Sequence, residues 1–119
     1  MSFFTNIYNS LFNRKQSKMP DITVQELKKR LDAGEDILVI DVRQPAEYEI
    51  YNIGAKLIPL GELPRHLDDL EEYKDKEVVL HCRSGARSAA AKQILLSKGF
   101  ENPRNLLGGM MEWSATFDK

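Results

Sequence analysis

The chain holds a single cysteine, and the residues around it are those that make a thiol reactive. Cys82 lies in His81-Cys82-Arg83-Ser84-Gly85-Ala86-Arg87-Ser88. The apolar, β-branched run Val78-Val79-Leu80 precedes it, and Ala89 to Leu96, rich in Ala, Leu, Lys and Gln, follows. The first run predicts a buried strand and the second a helix. A strand that ends, turns within a few residues and becomes a helix aims the backbone N–H groups of the turn at one spot. The helix dipole makes that spot positive and the geometry leaves its donors unpaired, so it attracts anions. A thiol placed there ionises readily, and Arg83 and Arg87 bring two further positive charges within reach. The alternative, a small apolar residue buried at a strand end, accounts for Cys82 but not for the glycine and arginines after it. The chemistry expected is nucleophilic attack by the Cys82 thiolate.

Cys-Arg-Ser-Gly-Ala-Arg-Ser resembles the active-site loop of the rhodanese superfamily of sulfurtransferases, where Cys, four residues and Arg close a cradle around an attacked sulfur. Asp41-Val42-Arg43 with Glu47-Tyr48 is similar to the family's first-strand signature, and Ile58-Pro59-Leu60 to its second-strand segment. Gly99-Phe100, Asn105-Leu106-Leu107-Gly108-Gly109 and Trp113 are similar to its C-terminal signature. These separated motifs keep the family's order over residues 20 to 117. The resemblance implies a three-layer rhodanese-like α/β domain with a mainly parallel central sheet flanked by helices. It implies Cys82 as the catalytic nucleophile and Arg83, Ser84, Gly85, Ala86, Arg87 and Ser88 as the substrate-binding cradle. Asp41, Arg43 and Glu47 are implied as supporting residues, with Glu47 the carboxylate partner of Arg87. The related phosphatases and arsenate reductases carry a loop one residue longer; the smaller cradle suits a single sulfane sulfur better than a tetrahedral oxyanion. One segment departs from the family. Glu49-Ile50-Tyr51-Asn52-Ile53 is a residue short and lacks the histidine of the family's Gly-His-Ile-type run. That segment lies near the site mouth in the family, so it bears on substrate preference and not on the chemistry at Cys82.

The reaction expected is sulfur transfer in two halves. The thiolate takes the outer sulfur of a small anionic donor, thiosulfate or a persulfide. The backbone N–H groups from Arg83 to Ser88 hold the resulting persulfide. A thiol, a carrier protein or cyanide then accepts the sulfur. With no second cysteine the chain cannot resolve its persulfide by an internal disulfide, so the acceptor is external. Arg83 serves as a charge that draws the donor in. The rival reading is a non-catalytic binding or sulfur-carrier module recruited by its N-terminal segment, with Cys82 vestigial. Retention of Cys, Gly and both Arg argues against it. Alternation along a strand puts His81 and Cys82 on opposite faces, so His81 is not assigned as a base. His66 falls on a surface helix, and Trp113 and Phe117 read as core. Two histidines and one cysteine, widely spread, offer no metal-ligand spacing, and no Gly-rich nucleotide loop appears, so no cofactor is expected.

The elements that must position the loop alternate along the chain. Thr23-Val24-Gln25-Glu26 reads as a capping box opening a helix that carries Leu27 and Leu31 and stops at Gly34. Ile37 to Ile40 reads as a strand covered on both faces, ending at Asp41, which either caps the next turn or orients the active loop. Pro45 opens a short helix. Leu57 and Ile58 form a short strand, Pro64 to Tyr73 a helix, Val78 to His81 a strand, Arg87 to Lys98 a helix closed by Gly99. Asn105 to Leu107 reads as a last strand, after which Gly108-Gly109 opens a terminal helix. Strand–helix alternation predicts a parallel sheet with its ligand at the carboxyl ends of the strands, where Cys82 falls.

Residues 1 to 18 form a separate extension before a domain of residues 19 to 119. Phe3, Phe4, Ile7, Tyr8, Leu11 and Phe12 recur at amphipathic-helix spacing, with Arg14, Lys15 and Lys18 behind them. A helix packing on its own domain or on a second copy of the chain, which makes a homodimer a candidate, is preferred over an interfacial membrane helix or a poor signal sequence. A chain of 119 residues bounds one small domain, and a net charge of −1 gives no reason to expect nucleic acid. No run of 18 apolar residues exists, and the lone cysteine fits a reducing compartment, so a cytoplasmic protein is expected.

Overall fold

The computed structural model describes residues 16–118. The amphipathic segment expected over residues 1 to 18 therefore lies, apart from its end, outside the described residues. Chain order is α1 (Val24–Asp32), β1 (Leu38–Asp41), α2 (Pro45–Ile50), β2 (Lys56–Leu57), a 3-10 helix (Leu60–Tyr73), β3 (Glu77–His81), α3 (Ala86–Ser97), β4 (Asn102–Asn105) and α4 (Gly109–Phe117). The strands form one all-parallel sheet in the order β2-β1-β3-β4, with Ile40 opposite Leu80 and Val79 opposite Arg104. β1 and β3 are the central pair, and the chain leaves them toward opposite edges. That reversal opens a crevice beyond their carboxyl ends, where Asp41 and Cys82 lie.

Both faces of the sheet are covered because its strands are apolar on both. Ile40, Val42, Val78, Leu80 and Cys82 face one core with Leu63, Leu70, Ala91, Leu95 and Phe100 from the 3-10 helix, α3 and the turn after it. Val39 and Val79 face the other with Val24 and Leu27 from α1 and Met110 and Trp113 from α4. Each fully buried large aliphatic side chain contributes about 1.5–3 kcal/mol of transfer free energy. Trp113 and Phe117 meet edge to face at 4.9 Å inside the second core. Among the described residues no helix is long and apolar enough to cross a membrane.

Three elements depart from the expectations above. The capping box at Thr23 forms by half: its hydroxyl accepts the Glu26 N–H at 3.1 Å, but the Glu26 carboxylate goes to the Arg104 guanidinium at 3.2 Å. A charged donor is the stronger partner. The helix expected from Pro64 begins at Leu60 and is 3-10 throughout. Leu60, Leu63, Leu67, Leu70 and Tyr73 recur at spacings of three, four, three and three, and all five pack against one core. The last strand is Asn102–Asn105 rather than 105–107. Pro103 argues against a strand, but β4 lies at the sheet edge, where a missing N–H is tolerated. Leu106 instead pairs with Ile22: the Leu107 N–H donates to the Ile22 carbonyl at 2.9 Å, and the Ile22 N–H to that of Asn105 at 3.0 Å. Lys18 is tied to the same end of the domain, its N–H donating to the Glu101 carbonyl at 3.1 Å.

Candidate active site

Cys82 follows β3 directly and is buried, its Sγ in the mouth of the turn that becomes α3. Three donors converge on the sulfur: the Gly85 N–H at 3.1 Å, the Ser88 N–H at 3.4 Å and the Ser88 hydroxyl at 3.4 Å. Burial pushes the thiol up, but these hydrogen bonds, with a further one from the Ser84 N–H, outweigh it and hold the thiol below its ordinary value. Gly85 makes the turn at φ 109°, a left-handed conformation that side chains rarely adopt.

The loop is held from behind by α4. The Met110 N–H donates to the Cys82 carbonyl and the Met111 N–H to the Arg83 carbonyl, each at 2.9 Å. These donors belong to the unpaired first turn of a helix, and here the loop carbonyls occupy them. With its carbonyls bound outward, the loop is left with N–H groups facing the sulfur. The approach requires Gly109, at φ 55°: a Cβ there would stand 2.6 Å from the Cys82 oxygen and 2.7 Å from that of Arg83. Asn105 adds a second brace, donating from Nδ2 to the Gly85 carbonyl at 3.1 Å and accepting the Ser88 hydroxyl on Oδ1 at 2.6 Å. Neither Gly109 nor Asn105 is marked as a site residue by reasoning from sequence. The adjacent glycines before a helix were the available signal.

Arg87 and Glu47 meet fork to fork, Nη1 to Oε1 at 2.7 Å and Nη2 to Oε2 at 2.9 Å, joining α3 to α2. Arg87 and the Gln44 N–H together hold the Glu47 carboxyl at about 2. Asp41 performs the turn and makes no bond to the loop: its carboxylate accepts the Arg43 backbone N–H at 2.9 Å and Arg43 Nη2 at 2.8 Å. Arg43 Nη2 also reaches the Tyr51 carbonyl at 2.7 Å, so this buried pair builds the wall that leads to the site. His81 is buried on the strand before Cys82, its Nε2 3.8 Å from the Asp41 carboxylate and neither ring nitrogen hydrogen-bonded among the described residues. Burial holds it below its ordinary value against the pull of Asp41. Ser84, Ala86 and Arg83 sit on the exposed rim of the loop. Beside the loop opens a cavity of about 360 Å³, with Arg83, Glu47, Ile50, Tyr51, Met110 and Met111 among its walls. The shortened Glu49–Ile53 segment thus supplies part of that cavity.

Fold and site together define a class: a parallel α/β domain with a thiolate-stabilising cysteine loop at the carboxyl edge of its sheet. The family model for the rhodanese-like domain matches residues 23–116, and the chain belongs to that family. It is 40% identical over 98 residues to a sulfurtransferase of Allochromatium vinosum, covering 79% of this chain and 87% of that one. It is 34% identical over 99 residues to YrkF of Bacillus subtilis, named for sulfur carriage, covering 82% of this chain but 52% of the relative, so the chain spans about half that protein's length. Among solved structures it resembles a rhodanese-like domain protein of Staphylococcus aureus, with a TM-score of 0.68, 34% identity and coverage of 80% and 91%. It also resembles a human single-domain sulfurtransferase, with a TM-score of 0.70, 26% identity and coverage of 82% and 96%.

Proposed function

We propose that the chain is a sulfurtransferase that carries a sulfane sulfur on Cys82 between an external donor and an external acceptor. One observation carries this reading: a sole cysteine whose Sγ receives two backbone N–H groups and a hydroxyl at a helix N-terminus. Those donors stabilise a thiolate before reaction and the anionic outer sulfur of a persulfide after it. In the first half-reaction the thiolate attacks the donor's outer sulfur, and sulfite or a thiolate departs with the electron pair of the broken S–S or S–S(O) bond. Both are good leaving groups, so no strong general acid is required. In the second, a thiol or a carrier protein attacks the outer sulfur and Cys82 leaves as the thiolate. Arg83, exposed on the rim, draws the anionic donor in, while Arg87, bound to Glu47, fixes the loop to α2. The names sulfurtransferase and sulfur carrier describe relatives that this intermediate would serve equally, the difference lying in which acceptor discharges it.

The test is the intact mass of the purified protein after incubation with thiosulfate or a persulfide donor, beside the Cys82→Ala variant. The expected result is a gain of one sulfur atom that a thiol removes and the variant never shows. No gain with any donor would sink the proposal.

A further inference from the structure

The loop accounts for the sulfur that is moved, and leaves unexplained the space in front of it. A solvent-open cleft of about 360 Å³ is in the size range of small organic ligand sites, whereas a compact dianion such as thiosulfate leaves it largely unfilled. Two large apolar side chains on its wall face solvent, Ile50 at 86% exposed and Met111 at 55%. Met110 and Met111 are fixed relative to Cys82 because their N–H groups bind the Cys82 and Arg83 carbonyls. Methionine adapts its shape to a thin aliphatic partner. The charges along the wall are already spent on one another with one exception. Glu47 is paired with Arg87 and Arg43 with Asp41, while Arg83 has no carboxylate partner among the described residues. The cavity thus offers an apolar surface and one unneutralised cation beside the sulfur-binding loop.

We propose that the donor selected by this site is an organic persulfide, R–S–SH, whose R group is an apolar stem lying on Ile50, Met110 and Met111 and ending in a carboxylate paired with Arg83. The inference rests on the sulfurtransferase reading above. In the step it describes, Cys82 Sγ⁻ attacks the outer sulfur and a new S–S bond forms. The donor's own S–S bond breaks, R–S⁻ leaves with its electron pair, and the proton stays on the transferred sulfur. No oxidant or reductant is consumed, and the class of reaction upstream is one that makes persulfides from thiols.

The experiment is the second-order rate constant for sulfur loading of Cys82, read by quenched intact mass in the full chain. Three probes are used: the persulfide of mercaptohexanoate, the persulfide of mercaptohexanol, and thiosulfate. They are compared in the wild type and in the double variant Ile50→Ser, Met111→Gln, whose positions are exposed enough to leave the fold intact. Intrinsic donor reactivity cancels in the ratios between proteins. The mercaptohexanoate-to-thiosulfate ratio is expected to fall about tenfold in the variant, and the carboxylate probe to load about tenfold faster than the alcohol in the wild type. A ratio unchanged by the double variant, or equal loading from carboxylate and alcohol, overturns this inference and leaves the sulfurtransferase reading standing. Failure of every donor to load Cys82 overturns both.

Discussion

Ser88 holds one hydroxyl proton between two acceptors, and its substitution tests how the fold lowers the Cys82 thiol. The hydroxyl lies 3.4 Å from Sγ and 2.6 Å from Asn105 Oδ1. When the thiol ionises, the sulfur becomes the stronger acceptor and the proton is expected to turn toward it. Ser88→Ala removes that donor alone, since the Ser88 and Gly85 N–H groups stay in place and alanine favours the helix. A hydrogen bond to a charged acceptor contributes about 1.5–3 kcal/mol. A long contact shared with Asn105 belongs at the lower end, about 1.5 kcal/mol, which is about a tenfold loss of thiolate at any pH below the titration midpoint. The assay is the rate of Cys82 alkylation by iodoacetamide against pH. The profile of the variant should move to higher pH, with about a tenfold lower rate on its acid limb and little change on the alkaline plateau. Asn105 Oδ1 loses a partner at the same time, so the variant should also be about 1 kcal/mol less stable. An alkylation profile that superimposes on the wild type refutes the reasoning: the proton would then belong to Asn105, with backbone N–H groups alone holding the thiolate.

Other substitutions probe the surroundings. Glu47→Gln breaks the fork to Arg87, which is about one-third exposed at 34% and 32%, so screening limits the cost to about 1 kcal/mol at pH 7. Because the folded carboxyl is depressed to about 2, its contribution is complete above the ordinary value near 4.5 and is lost as pH falls through about 2. Urea titrations of the two proteins should therefore converge over that window. His81→Leu removes a buried imidazole whose protonation burial disfavours, whereas the unfolded chain protonates it near pH 6.5. That penalty grows as pH falls below about 6.5, so urea titrations should show the stability of the variant relative to the wild type rising as pH is lowered from 7 toward 5. Arg104→Met withdraws a buried guanidinium from Glu26 and Glu77 and should cost about 2–4 kcal/mol in thermal unfolding, lessened because Arg30 still pairs with Glu77. Gly109→Ala forces a Cβ onto the Cys82 and Arg83 carbonyls and should slow sulfur loading more than it lowers the melting temperature.

The part of the site that lies in consecutive residues is legible in the sequence. Cys82 to Ser88 carries its chemistry in its own spacing, and the apolar run before it and the alanine-rich run after it announce the strand and helix that aim it. Glu47 and Arg87, 40 residues apart, came together on paper through resemblance and stand 2.7 Å apart in the fold. What the chain does not announce is contact made from a distance. Gly109 and Asn105 matter because α4 and β4 approach the loop, and nothing beside them in sequence says that a Cβ would strike the Cys82 carbonyl. Asp41 illustrates the same limit, since two tasks were open to it and only packing selects the turn. Pitch is also invisible: apolar residues three and four apart, as at Leu60, Leu63, Leu67 and Leu70, fit a 3-10 helix and an α-helix alike. The cost of Pro103 within β4 depends on being at an edge, a property of sheet order rather than of the strand.

A covalent sulfur held by Cys82 between two separate reactions can be measured without the donor present. The protein is loaded with a donor, freed of it by rapid gel filtration, and then given cyanide. One thiocyanate per chain is expected, released in a single turnover, with the protein returning to its unmodified mass and Cys82→Ala releasing none. Thiocyanate that appears only when donor and acceptor are present together would rule out Cys82 as the carrier, because the sulfur would then pass directly between them.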